Sequence, residues 1–178
     1  EDVGQWKRAW YYPIDNESMF DAVQRESKAA RTKAGILDAS TLGKIDIQGS
    51  DTSEFLNRVY TNAWNKLAIG KCRYGLMLND DGMVYDDGVT TRLNENHYIM
   101  TTTTGGAATV MSKLEDFLQT EWPELKVYLT SVTDHFATVS VCGPHSKKIL
   151  EKVTENIDYS DQNFPHMSFK EGLINKIK

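Results

Sequence analysis

Apolar and polar positions change period several times along this chain, and each change predicts an element. In 18–34 the apolar residues Met19, Phe20, Ala22, Val23, Ala29 and Ala30 recur among charges, which predicts a helix capped by Asn16 or Ser18 and ended at Gly35. Residues 35–43 carry turn formers and a short apolar run, read as a loop. Lys44-Ile-Asp-Ile-Gln48 then alternates as a half-buried strand does. Asp51-Thr-Ser-Glu54 ahead of Phe55, Leu56, Val59 and Tyr60 fits a capping box opening a short helix.

From Arg73 to Thr91 two runs of aromatic, β-branched and apolar residues flank Asn79-Asp-Asp-Gly82. An Asp-Gly pair between strand-like runs predicts a β-hairpin. Its second arm holds two adjacent carboxylates, Asp86 and Asp87. Strict alternation sets Met83, Tyr85, Asp87 and Val89 on one face, against Val84, Asp86, Gly88 and Thr90 on the other. The first set is the more apolar, so Asp87 is the expected inward carboxylate. Such a group needs a hydrogen-bond partner, an ion-pair partner or a ligand. A carboxylate holding a neighbouring loop and one serving a ligand both satisfy that requirement.

Further on, Tyr98–Thr104 reads as a strand that ends at Gly105-Gly106, and the helix after it has apolar positions Val110, Met111, Leu114 and Phe117 and closes near Trp122-Pro123. The four consecutive threonines fit either a polar strand end or hydroxyls lining a pocket. Two strands, 126–130 and 136–142, precede a helix that starts at Pro144. A polar loop runs to Pro165, and a strand-like piece from Met167 to Ile177 stops without a turn, so the chain reads as cut. Strands mixed with helices around a tight hairpin give an α+β class, with antiparallel sheet and packed helices.

Composition narrows the chemistry. The 178 residues suffice for a sizeable core, and a net charge of −5 argues against nucleic acid or an anionic membrane as the main partner. No apolar run approaches a membrane span, and the start lacks the basic and apolar regions of a signal peptide, which gives an intracellular reading. Cys72 and Cys142 form no CxxC pair and are expected to be small buried thiols. The four histidines lack ligand spacing, so no metal site is expected. The aromatic cluster Trp6, Trp10, Tyr11 and Tyr12 is expected to strap over the core or to wall a ring-binding pocket. Phosphate-loop, dinucleotide, GxSxG and HExxH signatures are absent.

Three stretches carry a resemblance: Arg31-Thr-Lys-Ala-Gly-Ile-Leu-Asp-Ala-Ser-Thr-Leu-Gly-Lys-Ile-Asp-Ile-Gln-Gly49, Phe55-Leu with Tyr60-Thr-Asn62, and Tyr74-Gly-Leu-Met-Leu-Asn-Asp-Asp-Gly-Met-Val-Tyr-Asp-Asp87. Together they resemble the folate-binding aminomethyltransferase (glycine-cleavage T-protein) family. Arg58-Val-Tyr-Thr-Asn-Ala-Trp64, Met100-Thr-Thr-Thr-Thr-Gly-Gly-Ala-Ala108 and Thr120-Glu-Trp-Pro123 are most similar to its branch in the C-terminal halves of heterotetrameric sarcosine oxidase α subunits. The resemblance implies an incomplete T-protein folate-binding fold, with 1–124 as a first subdomain and 125–178 as the start of a second α/β subdomain. It implies a tetrahydrofolate pocket in which Asp87 is the catalytic carboxylate assisting attack of a folate nitrogen on a one-carbon unit, and Tyr74 a pterin contact. Leu42, Thr101 and Thr103 occupy the remaining folate-binding positions, where the family commonly has methionine, valine and asparagine.

By the same resemblance the product is 5,10-methylenetetrahydrofolate, and the setting is a cytoplasmic multi-subunit enzyme whose partners are the other sarcosine oxidase subunits. FAD, FMN and NAD belong to missing parts or to those subunits. An aminomethyltransferase, a dimethylglycine dehydrogenase-like folate domain and a non-catalytic docking module are the alternatives. A downstream family motif, Tyr-Thr-Gly-Glu, falls beyond Lys178, so the isolated chain is expected to bind folate weakly and to be inactive.

Overall fold

The computed structural model describes residues 1–177. In chain order its elements are β1 (Asp2–Val3), β2 (Trp6–Lys7), α1 (Met19–Thr32), β3 (Gly35–Asp38), β4 (Gly43–Gln48), α2 (Thr52–Val59), β5 (Cys72–Leu78), β6 (Val84–Asn94), β7 (His97–Thr102), α3 (Ala107–Asp116), β8 (Tyr128–Ser131), β9 (Val139–Cys142), α4 (Ser146–Val153), β10 (Thr154–Glu155) and β11 (Leu173–Ile174). They form two compact units. Of the described residues, one comprises 1–41, 137–163 and 171–177, the other 42–136 and 164–170.

The second unit is built on a five-stranded antiparallel sheet of order β5-β6-β7-β4-β8, which is the α+β antiparallel class expected. Strand β8 belongs to this sheet through four pairings with β4, although it lies after residue 124. One sheet face packs against α2, α3 and the turn at Trp64–Lys66. There Ile45, Ile47, Met77, Tyr98 and Met100 meet Phe55, Leu56, Trp64, Val110 and Leu114 in a core from which water is excluded. Each large side chain so buried contributes about 1.5–3 kcal/mol.

The hairpin forms as predicted. Gly82 N–H donates to the Asn79 carbonyl at 2.9 Å and Asn79 N–H to that of Met83 at 2.9 Å, a three-residue loop closed by Gly82 at φ 80°. This positive φ is why glycine stands there. Below the loop the ladder slips: Leu78 pairs with Val84 but Met77 with Asp86, leaving Tyr85 as a bulge.

In the first unit α1 starts where its cap predicts, Ser18 Oγ accepting Asp21 N–H at 3.3 Å. Residues 35–38, read as loop, are strand β3, because they pair in full with β9 more than a hundred residues later. The aromatic cluster does not strap a core: Trp10 and Tyr12 are exposed. Cys142 is exposed too and Cys72 half-buried, and both are free thiols rather than buried ones. Among the described residues no helix is long and apolar enough to cross a membrane.

Two further local expectations also change. Asp51 stands at the N-terminus of α2 but makes no cap bond, and its carboxylate accepts Lys126 N–H at 2.8 Å instead. The stretch after Met167 is a strand only at β11, while Cys72 N–H bonds back to the Met167 carbonyl at 2.9 Å along the outer edge of β5.

Candidate functional site

The expected site residues Tyr74, Asp87, Leu42, Thr101 and Thr103 all lie in the second unit. Three of them stand on adjacent strands, β5, β6 and β7. Register sets Tyr74 opposite Val89 and Leu76 opposite Asp87, so Tyr74 and Asp87 are diagonal neighbours on one face. The Tyr74 hydroxyl donates to Asp87 Oδ2 at 2.6 Å. Tyr74 is 50% exposed and Asp87 half-buried. This hydrogen bond, followed by slight desolvation and the carboxylate's field, raises the pKa of the phenol.

Thr101 closes the neighbouring gap. Its hydroxyl donates to the Val89 carbonyl at 3.0 Å and accepts Val89 N–H at 2.9 Å, so a side chain replaces a ladder step where β7 leaves β6. The strands come so close here that a Cβ on Gly88 would stand 1.9 Å from the Thr101 carbonyl oxygen. Only glycine fits there.

The inward carboxylate is Asp86, not Asp87. Asp86 is 5% exposed and on the face of buried Thr90. The bulge at Tyr85 explains the reversal. It adds one residue to β6, so Tyr85 packs on the core although Asp86, the next residue, is also buried, and the alternation read from the loop is one residue out of step. The buried charge is satisfied by the protein: Asp86 Oδ1 accepts the Thr103 hydroxyl at 2.7 Å, and Thr103 N–H approaches Oδ2 at 3.3 Å. Thr103 Oγ1 in turn accepts Gly106 N–H at 3.2 Å. Asp86 thus holds the turn that opens α3, and the loop-holding role belongs to it. Asp87 is left with Tyr74 as its donor.

Leu42 is half-buried immediately before β4, whose first residues Gly43 and Lys44 pair with Thr102 and Thr101. It therefore lies one strand beyond Thr101, at the same end of the sheet. Sequence reasoning passed over Lys44, which is 4% exposed and whose ammonium donates to the carbonyls of Leu42 at 3.0 Å and Thr133 at 3.3 Å. Alternation puts Lys44 on the polar face with Asp46 and Gln48, so no sequence signal marked its burial. On the core side, Tyr60 is buried, and desolvation, with smaller contributions from Asp86 and Asp87, pushes its phenol far above the usual range.

Taken together, the outer end of the sheet offers a half-exposed phenol and carboxylate beside a backbone gap bridged by a threonine. A carboxylate there can accept a proton from a weakly basic nitrogen or stabilise a developing cation. Among the described residues no protein donor other than the Tyr74 phenol reaches it, so the residues present fit an amine ligand. No group of three or more metal-ligating side chains occurs among the described residues.

Comparisons with known proteins give the family and the fold. Residues 1–178 match the GCVT N-terminal domain family. The sarcosine oxidase subunit alpha of Corynebacterium sp. (strain U-96) is 58% identical over 174 residues, 98% of this chain and 18% of that protein. The sarcosine oxidase subunit alpha of Rhizobium meliloti (strain 1021) is 49% identical over 171 residues, 96% of this chain and 17% of that protein. The chain thus spans less than a fifth of the length of these relatives. Among solved structures, the glycine cleavage system aminomethyltransferase T from Bartonella henselae superimposes with a TM-score of 0.68 at 24% identity. It covers 74% of this chain and 35% of that one, a likeness of fold.

Proposed function

The chain belongs to the GCVT N-terminal domain family, and from that premise we propose that it is the tetrahydrofolate-binding part of a sarcosine oxidase α-type subunit. There it passes the one-carbon unit of sarcosine to tetrahydrofolate, giving 5,10-methylenetetrahydrofolate. The observation that carries this reading is the half-exposed Tyr74–Asp87 pair, with its 2.6 Å hydrogen bond to one carboxylate oxygen.

When bound, tetrahydrofolate supplies the nucleophilic nitrogen. Asp87 would accept the proton of that nitrogen, and the carboxylate's charge would stabilise a cationic one-carbon unit beside it. Tyr74 keeps the carboxylate in one orientation. Asp86, tied to Thr103, holds the turn into α3 and so fixes the strand on which Asp87 stands. Leu42 would offer the ring an apolar contact, and Thr101 and Thr103 are the remaining residues that would hold it. The other subunits are the partners on this reading, and FAD, FMN and NAD reside elsewhere in the assembly.

The test is Asp87→Asn in the complete assembly, with methylenetetrahydrofolate and sarcosine consumption measured together. Loss of a positioned general base lowers such a step by about a hundredfold or more. The folate product should fall by that factor while sarcosine consumption continues. An unchanged folate product would overturn the proposal and favour a docking module.

A further inference from the structure

Two adjacent residues of one strand face the same layer only where the strand is bulged. In β6, Tyr85 packs on the core and Asp86 is buried next to it, and both are gripped from α3. The turn into that helix holds Asp86 through the Thr103 hydroxyl at 2.7 Å. Nearly two turns further along α3, the Lys113 ammonium lies over the Tyr85 ring, 4.2 Å from its centroid, which is within the reach of a cation–π contact. The same ammonium donates to Asn79 Oδ1 at 3.4 Å, where the hairpin loop begins. One side chain thus spans the irregular stretch of the ladder, from the β5 end of the loop to the bulge in β6.

We propose that Lys113 and Tyr85 are positioning residues for the Asp87 carboxylate: the ammonium pins the bulge, and the bulge decides which aspartate stands beside Tyr74. Paired without a bulge from Leu78 and Val84 onward, the ladder would set Asp86 opposite Leu76 and Asp87 opposite Gly75. Asp87 would then lie on the face of Gly75, where the Tyr60 and Trp64 rings pack too closely to admit even a Cβ on that glycine. With the bulge, Asp87 is opposite Leu76 and receives the Tyr74 hydroxyl at 2.6 Å. Lys113 therefore acts on the site through Tyr85, without touching Asp87 or Tyr74. The role given to Asp87 rests on the folate reading above, whereas the pinning of the bulge rests on strand pairing alone.

Lys113→Met keeps the reach of the side chain and removes its charge, Tyr85→Leu keeps an apolar group and removes the ring, and Lys113→Arg keeps a cation over the ring. Two measurements on the complete assembly at neutral pH test the proposal. In amide hydrogen exchange read by mass spectrometry, Lys113→Met should speed exchange across 84–87 by about two- to fivefold, the worth of a surface cation–π contact. Tyr85→Leu should do at least as much, Lys113→Arg should stay close to wild type, and β4 should be unchanged in all three. In the folate assay, Lys113→Met should lower the rate of product formation by the same factor and leave the KM for sarcosine unaltered. In an Asp87→Asn background it should have no effect on that rate, because a positioning residue loses its influence once its carboxylate is gone. Unchanged exchange at 84–87, exchange raised equally throughout the second unit, no restoration by arginine, or an equal loss of product in both Asp87 backgrounds would overturn the proposal. An Asp87→Asn assembly that forms product like wild type would overturn the folate reading alone, and the exchange measurement would still decide what pins the bulge.

Discussion

Replacing Asp86 and Asp87 one at a time by alanine separates a carboxylate that holds the fold from one that faces outward. Asp86 is 5% exposed and accepts the Thr103 hydroxyl at 2.7 Å and its N–H at 3.3 Å. A hydrogen bond to a charged group contributes about 1.5–3 kcal/mol, and a donor left without a partner costs about 1–3 kcal/mol. Thr103 is exposed, so water rescues part of that second loss. Asp86→Ala is accordingly expected to destabilise the second unit by about 2–4 kcal/mol. For a chain of this length each kcal/mol moves the melting temperature by roughly 2–4 °C, which gives a drop of about 5–15 °C. Asp87→Ala removes one bond from a half-exposed phenol and should shift the transition less than half as far. Guanidinium unfolding followed by tryptophan fluorescence reports on this unit through Trp64, which is fully buried against Tyr60. An Asp86→Ala loss below about 1 kcal/mol, or an Asp87→Ala loss as large as that of Asp86→Ala, would refute the division of roles.

Two further outcomes follow from the same geometry. Gly88→Ala places a methyl 1.9 Å from the Thr101 carbonyl oxygen; because both are backbone in paired strands, a cost of roughly 3 kcal/mol or more is expected, and an unchanged melting curve would rule out the close approach. The Tyr74 pKa is raised above its ordinary value of 10.0 by its bond to Asp87. The stabilisation from that bond is therefore complete below pH 10 and lost as pH climbs through the raised value. In ultraviolet difference titration the step that Tyr74→Phe removes should move to lower pH in Asp87→Asn, and an unmoved step would refute the pairing.

Several features of this protein were legible because a few adjacent residues decide them. The loop at Asn79–Gly82, the Ser18 cap and the strand at 44–48 are such cases. The resemblance singled out Tyr74 and Asp87 as one site, but it is the bulge at Tyr85 that sets them on one face, since unshifted pairing from the loop would put Tyr74 opposite Gly88. Which aspartate is buried was not legible. That depends on one extra residue in β6 opposite Met77, a matter of cross-strand pairing that an alternating pattern cannot register. Asp51 has the sequence of a cap, yet its carboxylate serves an N–H 75 residues away. Residues 35–38 have no strand-like alternation, and only their partner, β9, makes them one. The sequence by itself determined the turn at Asn79–Gly82, the Ser18 cap and the chemical groups available. The tertiary structure alone decided which face each group occupies and which hydroxyl hydrogens are already engaged, because both are set by hydrogen bonds between strands distant in the chain.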